Sequence, residues 1–399
     1  MTRLRLPTVC REGWYYLVVM GFILGGAIMR QINLLMVLFG MMAGPLLFNA
    51  WCVTRMIRAA KVRRRLPEVV AAGDPVVVEL EAECLNLRGG LWALVVEDRV
   101  ERVTKQGAEP VLSPAVLFTH VPRLEIRRSN YRGLLARRGR YRFGPLQIST
   151  RFPLGLVARK AMQNETDEPD ENRELLVLPR LGSLTHRWTQ TRDEAYQRSR
   201  AQRRQHGPLE GDFHNLRPWR AGDTRRWIHW RTTARQGQLM VRQFEQHLQR
   251  DVAVLVDLWL PPNAEQEALD SVELAVSFAA TVASEMSRRG GCELTVGIAA
   301  AEPLFIRGPA SQALSGEILS ALAVAEADTV DYLPALLAKS GERIQPGTQV
   351  VLVSTRPVDL ADTDRYAAAW NDSRCRAIVA RIQEIDASSG ELQHYFQPQ

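Results

Sequence analysis

The sequence is poor in cysteine, lysine and catalytic signatures, and each shortage removes a class of protein. Five cysteines occur in 399 residues, at Cys10, Cys52, Cys84, Cys292 and Cys375. They lie far apart and no two form a Cys-x-x-Cys pair, which argues against a disulfide scaffold or a zinc knuckle. Reduced thiols in a cytosolic setting are the plain reading. There are only four lysines, so nearly all positive charge is arginine. No G-x-x-x-x-G-K-[ST], H-E-x-x-H or G-x-S-x-G occurs. The chain therefore carries no P-loop ATPase of its own and neither of the other two hydrolase signatures. What is present suffices for folding. Hydrophobic residues make up 46% and charged residues 24%, which excludes a disordered chain, and the length implies two or three domains.

Charge is uneven. The net charge is +7, yet residues 187–250 alone hold 14 Arg, no Lys and 6 acids. The rest of the chain is close to neutral.

Two long apolar runs open the sequence, at residues 14–29 and 34–53. At about 1.5 Å per residue the second matches a hydrocarbon core of about 30 Å, while the first needs its flanks to snorkel. Arg30 to Asn33 make the turn. Trp14, Tyr15, Tyr16 and Trp51 suit one interface. No small-x-small cleavage site follows the first run and a second run comes at once, so a two-helix hairpin (14–32 and 34–53) is favoured over a signal peptide. Arg3, Arg5 and Arg11 precede it, and Arg55, Arg58, Lys61, Arg63, Arg64 and Arg65 follow it. The positive-inside rule then places both termini and the soluble parts in the cytoplasm, at the cell (inner) membrane.

Residues 66–180 carry strand signals. Val78, Leu80, Ala82 and Cys84 alternate with Glu79, Glu81 and Glu83, a half-buried strand with a wet acidic face. Further strands are predicted over 91–103, 115–121, 146–150 and 175–178, which suggests a β-sandwich-like domain. The acidic stretch 163–173 reads as a solvated loop. From Asp251 the pattern changes to α/β. Strands over 251–258, 292–299, 303–307, 348–355 and 375–382 alternate with helices over 264–289, 311–327, 332–339 and 359–370, a mainly parallel sheet covered on both faces. The expected layout is a hairpin at 1–65, a β domain at 66–180, a basic segment at 181–250 and an α/β domain at 251–399.

The basic segment holds the most specific motif. It runs G-D-F-H-N-L-R-P-W-R-A-G-D-T-R-R-W-I-H-W-R-T-T-A-R-Q-G-Q-L-M-V-R-Q-F-E over residues 211–245. Physically, Gly222 and Asp223 suit a turn whose carboxylate caps a helix starting at Thr224. Arg226 and Trp230 at i and i+4 allow guanidinium over indole. Gly237 ends the helix and a strand follows. This stretch resembles the signature of domain-of-unknown-function family 58, at Arg217, Gly222, Asp223, Arg226, Trp230, Ala234, Arg235, Gly237 and Glu245. Trp219 replaces the usual Tyr, and a Gly often found at Asn215 is missing. A second stretch, R-G-R-Y-R-F-G-P-L at 138–146 followed by F-P-L-G-L at 152–156, is similar to another pattern of the family. The resemblance implies a von Willebrand factor A-like C-terminal sheet and partnership with MoxR-type AAA+ ATPases, but no reaction.

Metal-binding A domains place D-x-S-x-S after the first strand, which gives Mg²⁺ hard oxygen ligands. Here Asp257 is followed by Trp259 and Pro261, neither with a side-chain oxygen, and the later strand ends at Ser354 and Arg356. The expectation is a vestigial site without metal or cofactor, with Asp257 a turn, cap or partner of Arg356, and with Asp257, Ser354 and Arg356 a docking face. His206, His214, His229 and His247 have no zinc spacing, and His229 near Asp223 is a weak acid/base signal. The expected function is a non-enzymatic membrane-anchored adaptor, touching lipid through its hairpin. The rival is binding of single-stranded nucleic acid or anionic lipid by the arginines among Trp188, Trp219, Trp227 and Trp230. Nucleic acid is the weaker reading, because arginine replaces lysine throughout the chain.

Overall fold

The computed structural model describes residues 3–4, 7–85, 89–104, 107–163, 173–190, 212–220, 223, 225–245, 251–345 and 347–398. The chain is a mixed α/β protein that divides into two compact units, Met1–Leu178 and Pro179–Gln399.

The first unit begins with two helices, Arg11–Arg30 and Asn33–Ala59, both long and apolar enough to cross a membrane. Gln31, in the left-handed region at φ 49°, reverses the chain between them. The second helix departs from the expected 34–53 span. It continues to Ala59, and Asn49, Val53, Met56, Ile57 and Ala59 are buried. Met56, Ile57 and Ala59 belong to the core of the β region. The end of this apolar run therefore packs on protein, not lipid, and a run of hydrophobic residues does not by itself distinguish the two. Residues 60–65, expected within the anchor, form strand Ala60–Arg65 instead.

Among the described residues, three sheets complete this unit. Pro75–Cys84 lies between Ala60–Arg65 and Ile126–Leu134, all antiparallel. A second sheet runs Arg3–Leu4, Val157–Met162, Gln147–Thr150, Leu91–Glu97, Ala115–Val121, with Thr8–Val9 also on Val157–Met162. A third runs Val70–Ala71, Glu174–Leu178, Gly139–Phe143, Val100–Thr104, Gly107–Leu112. The predicted strand over 91–103 is thus two strands in different sheets, separated at Asp98. The wet acidic face is also corrected. Glu81 is buried beneath Arg65, at 3.1 Å, and Arg128, at 3.0 Å. Arg64 is buried with Asp98 at 2.6 Å, and the Tyr131 hydroxyl donates to the same carboxylate at 2.6 Å. Gln163 is likewise buried and accepts from the Val62 amide, so it is no part of a solvated loop. Residues 164–172 of the acidic stretch lie outside the described residues.

The second unit centres on a five-stranded sheet in the order Leu304–Pro309, Glu293–Ile298, Val252–Asp257, Gln349–Ser354, Gln383–Asp386. All neighbours are parallel except the Leu304–Pro309 edge. The central strand V-A-V-L-V-D is buried throughout, as a strand covered on both faces must be. Val252, Val254 and Val256 pack with helices Gln266–Arg289 and Gln312–Val324. Ala253 and Leu255 pack with Leu333–Arg343, Ala367–Asn371 and Ser373–Val379. On the first face Trp188, Phe278 and Phe396 meet edge-on, with centroids 5.2 and 6.0 Å apart along the row. A fully buried side chain such as Phe278 contributes roughly 1.5–3 kcal/mol by leaving water. The long helix stops where Gly290 adopts φ 65° and its amide reaches the Met286 carbonyl.

The last predicted strand, over 375–382, is wrong. Asp372 accepts from the Arg374 amide and starts helix Ser373–Val379, and the strand is Gln383–Asp386. The apolar residues Cys375, Ile378 and Val379 fit a three- and four-residue spacing as well as a strand. The predicted helix over 359–370 shortens to Ala367–Asn371. Strands Asp212–Pro218 and Met240–Glu245 lie in the same unit as the sheet, antiparallel to one another.

Candidate functional site

The C-terminal end of the central strand is where a doubly wound sheet opens a crevice for ligands. Asp257 ends that strand and is 2% exposed. Parallel pairing sets Ser354 beside it, and the Ser354 hydroxyl donates to its Oδ2 at 3.1 Å. Two residues on, Arg356 turns back over the strand end. Its Nε lies 3.4 Å from Asp257 Oδ2, an ion contact out of line for a hydrogen bond. The same guanidinium covers the Trp259 ring at 5.0 Å. The indole is held in turn by Nε1 donating to the Thr329 carbonyl at 2.9 Å. Thr355 Oγ1 donates to the Trp259 carbonyl at 2.5 Å.

A second carboxylate completes the group. Asp331 pairs with Arg356 and with Arg365, whose Nε and Nη2 stand 3.1 and 2.5 Å from Oδ2. Asp331 also accepts the Leu333 amide at the start of helix Leu333–Arg343. Burial pushes the Asp257 carboxyl up, and Arg356 and Ser354 only partly oppose this. Burial acts the same way on Asp331, but hydrogen bonds from Arg365 and Arg356 outweigh it and the net direction is down. Tyr366, also buried, sits in the field of these four charges, and desolvation raises its phenol. The result is a rigid alternation of charge, Asp257, Arg356, Asp331, Arg365, beside an indole. Asp331, Arg365 and Tyr366 were not singled out in the sequence. They come from separate connections, and only the sheet order brings them together.

This donor set does not suit a divalent cation. Asp257 and Ser354 offer oxygens, but Trp259 and Pro261 offer none from their side chains, and the guanidinium in contact with Asp257 carries the charge a cation would. Among the described residues no three His, Cys, Asp or Glu side chains converge to hold a metal.

The signature segment builds a separate group. Arg217, on strand Asp212–Pro218, grips Asp223 with both Nη atoms at 2.6 Å. Asp223 Oδ2 also accepts the Arg220 amide at 2.8 Å, and these bonds, Arg217's first, hold its carboxyl below the usual range. Asp223 therefore clamps a turn. A 3₁₀ turn, Arg225–Trp227, precedes helix Trp230–Gln236, and the cap is His229, whose ring accepts the Thr232 amide. Arg226 and Trp230 thus sit on different helical turns, and the single-helix pairing expected for them does not form. His229 has a structural position at that cap. Gly237 closes the helix at φ 69°, its amide bonded to the Thr233 carbonyl. Arg226, Ala234 and Arg235 are exposed, as is Trp230 at 66%. Glu245 pairs with Asp212 through the backbone. Gly222, Thr224, His206, His247 and the side chains of His214 and Glu245 lie outside the described residues.

Residues 215–328 match the family described as "Protein of unknown function DUF58", which supports the resemblance carried by the signature. No curated protein matches. Among solved structures, the CARDB domain of a Pyrococcus furiosus protein, in complex with di-metal ions, is 15% identical with a TM-score of 0.19. The match covers 30% of this chain and 87% of that one. The sporulation control protein Spo0M of Bacillus subtilis is 14% identical over 35% of this chain and 55% of that one, with a TM-score of 0.17. A Listeria innocua β-glucosidase is 14% identical over 22% of this chain and 14% of its own, also at 0.17.

Proposed function

We propose that the protein is a non-enzymatic, membrane-anchored adaptor. In this reading the second unit is a von Willebrand factor A-like domain with a degenerate metal site, and it docks another protein. The observation that carries this is Arg356, which takes the place of a cation against Asp257 at the strand end where such sheets meet ligands. A charged side chain so held, only 13% exposed, is a fixed charge at the strand end and not a reaction centre, and Arg365, 38% exposed, carries the group's charge to the surface. Fixed charges of alternating sign beside an indole suit recognition of a complementary protein face. A parallel sheet covered on both faces, with one antiparallel edge, is compatible with the A-like assignment.

The partner we infer is a MoxR-type AAA+ ATPase. This rests on the family resemblance, and the absence of a P-loop in the chain fits a protein that works with an ATPase and is not one. The hairpin would hold the protein in the cell membrane, with the arginines at both of its ends keeping the soluble units cytoplasmic.

The test is recovery of partners from detergent extracts of full-length protein beside an Arg356→Glu variant. The account expects a AAA+ ATPase with the first and its loss with the second while the variant stays folded. Recovery of single-stranded nucleic acid or lipid without a protein partner would move the function to the exposed Arg226, Trp230 and Arg235 face. Turnover of a substrate that is lost with His229→Ala would overturn the non-enzymatic reading.

A further inference from the structure

We propose that the 151–156 loop, together with the Trp92 indole, is a foot that rests in the lipid headgroup layer. The proposal builds on the reading of the two helices as a membrane anchor and adds a second contact, made by the β region itself.

Both helices are bolted to this loop. Asn49, buried within the second helix, accepts the Leu156 and Val157 amides at 3.0 and 2.9 Å, and its amide donates to the Arg151 carbonyl. At the N-cap of the first helix the Cys10 amide donates to the Leu156 carbonyl at 3.0 Å. Gly13 lies so close that a Cβ there would stand 2.0 Å from the Leu156 oxygen. The loop is thus fixed level with Gly13 and Asn49.

The exposed aromatic belt begins at that level. Trp14 and Tyr15 follow Gly13, while Phe48 and Trp51 flank Asn49, and all four are exposed. Arg11 donates to the Tyr15 hydroxyl, and Arg55 covers the Trp51 ring at 5.0 Å. Aromatic rings backed by arginine are what the boundary between hydrocarbon and headgroups favours. The four aromatic residues lie within about one helical turn, roughly 5 Å, of the loop's anchor points. Each headgroup layer is itself about 5–8 Å deep. The loop therefore falls inside that layer.

Length gives a second argument. From Asn33 to Phe48 the second helix offers 16 residues before it meets the β region. That is about 24 Å of rise against a hydrocarbon core of about 30 Å. A short hydrophobic span draws its flanks toward the lipid. Its flank here is the loop, whose two exposed residues are the cationic Arg151 and the apolar Leu154, a pairing that suits the headgroup layer. Leu154 is 50% exposed, and Trp92, 41% exposed, stacks on Phe152 at 5.7 Å.

The experiment places a benzophenone amino acid at position 154 of the full chain in phosphatidylcholine–phosphatidylglycerol nanodiscs. Phe22, exposed on the first helix, serves as the membrane reference, and Val103, in the third sheet, as the reference off the foot. Adducts are read by mass. A residue held at the interface meets lipid most of the time, so lipid adducts at 154 should exceed those at 103 by about tenfold or more. Adducts at 22 but only background at 154 would overturn the foot while leaving the anchor intact. Background at all three positions would remove the anchor reading, and the foot with it.

Discussion

Replacing Arg356 with alanine removes the cation that touches a carboxylate at the bottom of the sheet. Asp257 is 2% exposed and Arg356 13%, so the pair is shielded from water on nearly every side. Breaking such a pair from one side costs about 3–5 kcal/mol, because the remaining charge stays desolvated. The Ser354 hydroxyl still donates to Asp257, which places the expectation at the lower end, about 3 kcal/mol. The cost depends on pH. Burial already raises the Asp257 carboxyl, and losing Arg356 raises it further. A carboxyl whose folded pKa lies above its unfolded value binds more protons folded than unfolded, so stability falls as pH rises between the two. The deficit of Arg356→Ala is therefore largest at neutral pH and shrinks in acid. Hydrogen exchange of peptides covering Val252–Asp257 and Gln349–Ser354, in the full chain, reads it directly. Protection should fall by roughly two orders of magnitude at neutral pH, and by less near pH 5. Adding Asp257→Asn should restore most of it. Unchanged protection, or a deficit that grows in acid, would refute the reasoning.

Four further outcomes follow, three from buried contacts and one from a helix end. Asn49→Ala leaves the Leu156 and Val157 amides without an acceptor, at about 1–3 kcal/mol each, and should speed exchange of those two amides selectively. Asp98→Asn removes the counter-charge of the buried Arg64 and should cost about 3–5 kcal/mol, whereas changing both residues to apolar ones of similar volume should recover most of it in a denaturant titration. Burial, then the Asp98 charge and hydrogen bond, raise the Tyr131 phenol, so it should stay protonated until the first unit unfolds in alkali, as followed by phenolate absorbance. Gly237→Ala places a Cβ at φ 69° and should lower stability by about 1 kcal/mol, seen as faster exchange in helix Trp230–Gln236.

The sequence was legible where one period dominates. The V-A-V-L-V-D strand and the long helix after it announce a doubly covered sheet, and the two apolar runs announce two helices. It was illegible where one pattern serves two ends. The run through Val53 is equally apolar against lipid or a β core. Cys375, Ile378 and Val379 suit helix or strand. Glu81 lies in a clean alternation, yet Arg65 and Arg128 from neighbouring strands bury it. In the candidate site, Asp257, Ser354 and Arg356 were readable from strand ends. Asp331 and Arg365 were not, because nothing local to them records which strand end they face. In the signature, the i, i+4 spacing of Arg226 and Trp230 misled because a 3₁₀ turn and the His229 cap break the helix between them.

The most direct test of the central claim is the affinity of the full-length protein in nanodiscs for the purified MoxR-type AAA+ ATPase from the same organism. Three chains are needed: unchanged, Arg356→Glu, and Arg288→Glu at the far end of the long helix, where the arginine is exposed. The account predicts saturable binding that falls by about tenfold or more with Arg356→Glu, scored on protein that keeps native hydrogen-exchange protection over Gln349–Ser354, and holds with Arg288→Glu, in line with a fixed interface charge worth at least about 1.4 kcal/mol. No binding by the unchanged chain, or equal loss with both variants, would contradict it.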